Sequence, residues 1–247
     1  MHRILQYMRK MTKLSVNINK FATLRNARGG NNPNLVKVAR DCQHFGAEGI
    51  TIHPRPDERH ITTRDVYNLK PVITTEYNIE GYPDDRYIKL VSDTRPEQAT
   101  LVPDPPDVLT SNAGWDTVKE KQLLQDVIGK LKEAGCRVSI FVDPDPELAA
   151  AAKETGADRI ELYTEAYATG YRKNKEEAIK PYADAALAAN EAGLEINAGH
   201  DLDLENLRYF HLNIPSLSEV SIGHALVCDA IYLGLENTIR LYLKELR

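Results

Sequence analysis

Four of the chain's seven histidines, His53, His60, His200 and His224, stand at or just beyond the ends of short apolar runs. Two carboxylates, Glu80 and Glu161, stand in comparable places, in "EYNIEG" and "RIELYTEAY". Imidazole exchanges protons near neutral pH. A carboxyl group in apolar surroundings can be raised toward neutrality and share that work. Interleaved with them are Arg25, Arg28, Arg55 and Arg59, and a glycine, Gly223, directly before a helical pattern. Guanidinium groups and the amides of a helix start favour phosphate or carboxylate. The set points to proton-transfer chemistry on a phosphorylated substrate. No member carries that reading alone, because a single histidine at a strand end is more often a surface or hydrogen-bonding residue.

Two other chemistries use similar residues. Clustered histidines and carboxylates suit zinc or manganese. However, metal-dependent barrels commonly place two histidines one residue apart on the first strand, where this chain has Asn17 and Asn19. A metal-dependent hydrolase or isomerase acting on a phosphorylated small molecule is therefore the alternative reading. A Schiff base needs a lysine within a strand. None of the strand cores carries one; Lys20 follows the first, where it can face an anionic ligand.

Only a repeating architecture brings such dispersed residues together. Strands are expected at Leu14–Asn19, Gly49–His53, Glu76–Glu80, Thr100–Pro103, Val138–Asp143, Arg159–Thr164, Glu195–Ala198 and Glu219–Gly223. Amphipathic segments lie between them at Asn34–Phe45, Thr117–Ala134, Glu176–Ala192 and Leu204–Leu212, and Leu226–Leu246 closes the chain. Gly46, Gly135, Gly156 and Gly193 each follow a helical pattern and precede a strand, as helix-terminating glycines do. Eight strand–helix units in about 250 residues match a single (β/α)8 TIM barrel, whose site lies at the C-terminal rim of the strands. An open doubly wound sheet fits less well, since no Gly-rich dinucleotide loop follows the first strand. Residues 1–12 read as an N-terminal extension outside the fold, with Met11 a second candidate start, and 13–247 as one catalytic domain.

The bulk composition narrows the class. A net charge of -5 argues against broad nucleic-acid binding. Cys42, Cys136 and Cys228 are far apart and suit free thiols in a reducing compartment. No apolar run is long enough to cross a membrane, and "MHRILQYMRK" is too broken for a signal peptide. A cytoplasmic protein is expected.

The motifs taken together resemble those of the pyridoxine 5'-phosphate synthase family of vitamin B6 biosynthesis. They are "VNINKFATLRNARGG", "GITIHPRPDERHIT", "NIEG", "TLVPD", "IELYTEAYA", "INAGHDL" and "VSIGHAL", in family order from about Lys13 to the C-terminus. The resemblance implies a homo-octamer of (β/α)8 barrels without metal or organic cofactor. It implies condensation of 1-deoxy-D-xylulose 5-phosphate with 3-amino-2-oxopropyl phosphate, closing a pyridine ring and releasing phosphate and water. Carried over by motif, His53 and Glu80 are the proton acceptors, His200 the proton donor, and Glu161 a further site carboxylate. Asn17, Arg28, Gly223 and His224 would hold the aminoketone phosphate; Arg55, His60 and Thr110 would hold the deoxyxylulose phosphate. Two positions depart from the family pattern. Asn19-Lys20 stands where many members have Asp-His at a pentulose-phosphate contact, a change of about two charge units with His neutral. Asp201 stands where many have glycine, so its carboxylate must point away from a phosphate held by its backbone amide.

Overall fold

The alternation along the apolar runs becomes the two faces of a closed sheet. The computed structural model describes residues 11–103 and 113–247. The chain runs β1 (Lys13–Asn17), α1 (Asn19–Arg28), α2 (Leu35–His44), β2 (Gly49–Ile52), α3 (Thr63–Leu69), β3 (Glu76–Gly81), α4 (Asp85–Thr94) and β4 (Gln98–Leu101). It continues through α5 (Lys121–Glu133), β5 (Arg137–Val142), α6 (Pro146–Ala151), a 3-10 turn (Ala152–Thr155), β6 (Arg159–Tyr163), α7 (Glu165–Tyr171) and α8 (Lys175–Glu191). Then come β7 (Glu195–Gly199), α9 (Leu207–Asn213), β8 (Leu217–Ile222), α10 (His224–Leu233) and α11 (Leu235–Glu245). The strands pair in sequence order, all parallel, and β8 closes onto β1. This is the expected (β/α)8 barrel.

Side chains alternate across each strand, and the chain uses the two faces unequally. Val16, Ile50, Ile52, Ile79, Ile140, Leu162, Ile196, Val220 and Ile222 form the buried apolar face that meets the helices. The opposite face is polar. Ser15 and Thr51 hydroxyls lie 2.7 Å apart, Asn78 donates to Thr51, and Thr100 donates to Asn78 at 2.9 Å. At the N-terminal end of the barrel, Arg159 contacts Gln98, Glu195 and Glu219, and Arg137 pairs with Glu76. Barrel interiors are ordinarily filled by branched apolar residues, so most of the apolar burial here lies in the layer between sheet and helices.

Helix starts follow their capping residues. Asn34, Asp84, Asp145 and Asn174 each accept from a first-turn amide, and Thr62 with Asp65 forms a reciprocal capping box on α3. Gly46, Gly135, Gly156 and Gly193 all take positive φ, as expected of glycines that end helices.

Three expectations are corrected. The first strand ends at Asn17 rather than Asn19, and Asn19–Arg28 is a helix. The fourth strand is Gln98–Leu101, two residues earlier, because Gln98 and Thr100 point inward and break the apolar run. The closing helix is two helices: Gly234, at φ 77°, ends α10 and precedes α11.

Candidate active site

The C-terminal rim is assembled first from the ends of β1, β2 and β3. Asn17 closes β1 and its Nδ2 donates to Glu80 Oε2 at 3.4 Å. His53 follows β2, with Nδ1 3.8 Å from the same oxygen. Asn19 opens α1, and its Oδ1 accepts the backbone N–H of His53 at 3.0 Å. Gly223 completes the cluster from β8: a Cβ there would lie 3.1 Å from the Cβ of Asn17. The approach of β8 to β1 therefore explains the glycine.

Burial sets the protonation of this cluster. His53 and Glu80 are both buried. Burial pushes the Glu80 carboxyl up to about 8, Arg55 opposes the push, and Glu219 adds to it. Burial also holds His53 well below the ordinary imidazole range, with Arg55, His60, Arg86 and Arg59 acting in the same direction. The resting site thus holds a protonated acid and a neutral imidazole 3.8 Å apart. That pairing leaves no charge buried at rest, and Glu80 becomes a proton acceptor once its carboxyl ionises.

His60 lies beside this pair, its ring centroid 6.4 Å from that of His53. Its Nδ1 accepts the N–H of Ile61 at 2.9 Å, and burial, Arg55 and Lys20 lower it to about 4. Arg55 is buried, whereas Lys20 and Arg28 lie exposed on α1. Arg25 does not join them. It is buried on α1 and forks onto Asp65 at 2.6 and 2.8 Å, while donating to the His60 carbonyl. Its expected role as an anion site is replaced by a strut that ties α1 to α3. Thr110 lies outside the described residues.

The other side of the rim comes from β6, β7 and β8. Glu161 is buried on β6; burial and then Glu80 raise its carboxyl well above the usual range. Among the described residues its Oε2 has no hydrogen-bond partner. Gly199 makes room for it, since a Cβ there would lie 2.6 Å from Oε1. His200 follows at φ 89°, its Nδ1 2.7 Å from Asp201 Oδ2 and its ring 5.1 Å from Tyr163. His224 opens α10 and is exposed, with Nε2 3.7 Å from Cys228 Sγ. His200, Asp201, Asn206 and His224 line a cavity of about 450 Å³. Among the described residues no group of three or more His, Cys, Asp or Glu is placed to hold a metal ion.

Three contributors were not singled out from the sequence. Glu219 carries a raised carboxyl, caused by burial and then Glu76, and it acts on Glu80. The alternation Glu219, Ser221, Gly223 in "SEVSIGHA" places it inside the barrel, a signal present in the sequence. Arg86, from α4, lowers His53 and donates to the Pro54 carbonyl. Tyr163 packs edge-on to His200. Neither of these two has a local motif.

Comparison with known proteins places the chain among relatives. Residues 14–247 match the family model described as pyridoxal phosphate biosynthesis protein PdxJ. A protein of Cytophaga hutchinsonii named pyridoxine 5'-phosphate synthase is 63% identical over 237 residues, covering 96% of this chain and all of that protein. One of the same name from Bacteroides thetaiotaomicron is 60% identical over the same lengths. Among solved structures, the aminoacrylate-bound tryptophan synthase of M. tuberculosis superposes with a TM-score of 0.66 at 12% identity, covering 96% of this chain and 94% of that one. At that identity the likeness is one of fold.

Proposed function

The chain belongs to the family of the pyridoxal phosphate biosynthesis protein PdxJ, and we infer from this membership and from the rim geometry how it makes pyridoxine 5'-phosphate. The reaction condenses 1-deoxy-D-xylulose 5-phosphate with 3-amino-2-oxopropyl phosphate and releases phosphate and water. The imine forms between the two substrates, which agrees with strands whose cores lack a candidate Schiff-base lysine.

The observation that carries the reading is the buried His53–Glu80 pair with Asn17 on the same carboxylate. Ring closure requires repeated enolisation and dehydration, and each step moves a proton at carbon or oxygen. His53 and Glu80 act as proton acceptors and His200 as proton donor. Glu161, whose Oε2 has no hydrogen-bond partner among the described residues, stabilises charge that develops beside them. Two phosphates need two anion sites. Asn17, Arg28, Gly223 and His224 take the aminoketone phosphate, the last two at the start of the ten-residue helix α10. Arg55, His60 and Thr110 take the deoxyxylulose phosphate, with Lys20 adding positive charge nearby. The backbone tether of Asn19 to His53 gives Asn19 a structural part in that subsite. The enzyme works in the cytoplasm as a homo-octamer, without metal or organic cofactor.

A turnover assay with both substrates, following pyridoxine phosphate fluorescence and released phosphate in parallel, tests this. Equal formation of the two in the presence of a chelator is expected. Activity abolished by chelator and restored by metal would move the reading to a metal-dependent barrel enzyme. Folded protein without turnover would remove the named reaction.

A further inference from the structure

We propose that Asp201 is the positioning residue for His200, holding Nδ1–H so that Nε2 faces the substrate. The inference rests on the acid role given to His200 above. Its geometry is independent of that role. Asp201 Oδ2 lies 2.7 Å from His200 Nδ1. A carboxylate cannot donate, so the imidazole nitrogen facing it carries the hydrogen.

The loop that presents this pair is fastened from several sides. The Asp201 N–H donates to Thr164 Oγ1 at 3.2 Å, and that hydroxyl donates to the Gly199 carbonyl at 2.6 Å. Asn206 Nδ2 donates to the Asp201 carbonyl, and the His200 N–H donates to the Ser221 carbonyl. A non-glycine residue at φ 89° persists only where its surroundings over-determine it. Here strands β7 and β8, the end of β6 and the start of α9 do so together.

The same contacts argue against a direct phosphate contact by Asp201. Its amide is turned to Thr164 and its carboxylate to the imidazole. A carboxylate oxygen also repels a phosphate dianion. The amide, the carbonyl and Oδ2 of the residue are all engaged within the protein, and together they fix one imidazole.

The consequence for the acid step is explicit. A cationic His200 gives its Nε2 proton to a departing hydroxyl oxygen of the intermediate. The C–O bond breaks and its electron pair leaves with oxygen as water, while a proton acceptor of the site takes hydrogen from the neighbouring carbon and that C–H pair becomes the new double bond. The ring is then neutral with hydrogen on Nδ1, which Asp201 still accepts as a carboxylate. Wrong tautomers cost catalysis because the nitrogen that must act carries the wrong occupancy. The pair is about one-third exposed, so water can partly replace the carboxylate. The loss is therefore partial.

The test uses full-length Asp201→Ala and Asp201→Asn with 15N-histidine solid-state NMR, His200 being assigned by difference from a His200→Gln sample. In the wild type with neutral imidazole, Nδ1 is expected to give the protonated, pyrrole-type signal. In Asp201→Ala the proton is expected to move to Nε2. Asp201→Asn, whose amide NH2 can donate to Nδ1, should move the proton to Nε2 as well. In turnover, both variants should lose about tenfold in kcat with KM values for both substrates within about twofold. An unchanged tautomer in Asp201→Ala, or a change in KM alone, overturns the proposal. Should Asp201→Ala fail to fold, a wild-type ring with hydrogen on Nε2 overturns it by itself, and one with hydrogen on Nδ1 supports it. Failure of the wild type to turn over the two substrates sinks the proposed reaction instead, and the tautomer readout still decides Asp201.

Discussion

Replacing Glu80 with Gln removes a titration whose size follows from the site. Burial pushes the Glu80 carboxyl up to about 8, against 4.5 for a solvated glutamate. Between those values the native protein holds a proton that the unfolded chain has released. Stability therefore falls as pH rises, with a slope near 1.4 kcal/mol per pH unit for one group. The contribution is fully present below pH 4.5 and is lost as pH rises through 8. From pH 5 to pH 9 the group costs the native state about 4 kcal/mol. Glutamine does not titrate and escapes this cost.

Urea unfolding of wild type and Glu80→Gln at several pH values between 5 and 9, at one protein concentration, measures it. The stability of the wild type relative to the variant should fall by about 4 kcal/mol across the range. His53, held neutral in the native state, loses stability in the opposite direction as pH drops below its ordinary range, but it does so in both proteins. Wild-type kcat/KM should rise with pH toward 8 as the base ionises, and Glu80→Gln should lose about 10²- to 10⁴-fold in kcat. Parallel stability curves would refute the reasoning, because they would mean that Glu80 is already ionised in the folded protein at neutral pH.

Arg25→Met leaves Asp65 buried without its fork and should destabilise the protein by about 3–5 kcal/mol, with part recovered in Arg25→Met/Asp65→Asn; unfolding midpoints check both. Gly199→Ala brings a Cβ to 2.6 Å from Glu161 Oε1 and 2.7 Å from the Ser221 carbonyl. It should cost about 1–3 kcal/mol and lower kcat by displacing Glu161, whereas Gly135→Ala, where a Cβ meets nothing within 4 Å, should leave kcat unchanged.

The barrel was legible because its signals are local and repeated. Short β-branched runs ended by polar residues, and glycines after helices, recur with each unit and need no knowledge of partners. The rim histidines and carboxylates were legible for the same reason, since a strand end is a position in sequence as well as in space. What stayed hidden depends on pairing across the fold. Nothing local distinguishes Arg25, which meets Asp65, from Arg28, which lies exposed; both sit in "LRNARGG". Asn19 reads as a ligand contact, and its sequence gives no sign that its oxygen also accepts the His53 amide. The shift of β4 arose because Gln98 and Thr100 face a polar interior, where apolar patterning gives no mark. Gly234 splits the closing helix although the apolar periodicity runs through it.

Burial does most to hold His53 neutral, and the positive groups that add to it include those of the proposed phosphate site. After burial, the groups holding its imidazole low are Arg55, His60, Arg86 and Arg59, and two of these, Arg55 and His60, belong to the proposed deoxyxylulose phosphate site. A phosphate dianion seated among them opposes their potential at His53. The imidazole then becomes a better proton acceptor only once substrate has arrived, and an unoccupied site does not strand a cation in a buried position. The proposed phosphate site thus predicts that binding and activation are coupled electrostatically. Inorganic phosphate is a sufficient probe. A 15N-detected pH titration of His53 should show its protonation moving back toward the ordinary imidazole range at saturating phosphate, and Arg55→Gln should weaken that movement. If saturating phosphate leaves the His53 titration where it was, the positive groups around the imidazole do not couple the two events, and His53 must gain its basicity from the carbon skeleton of the substrate instead.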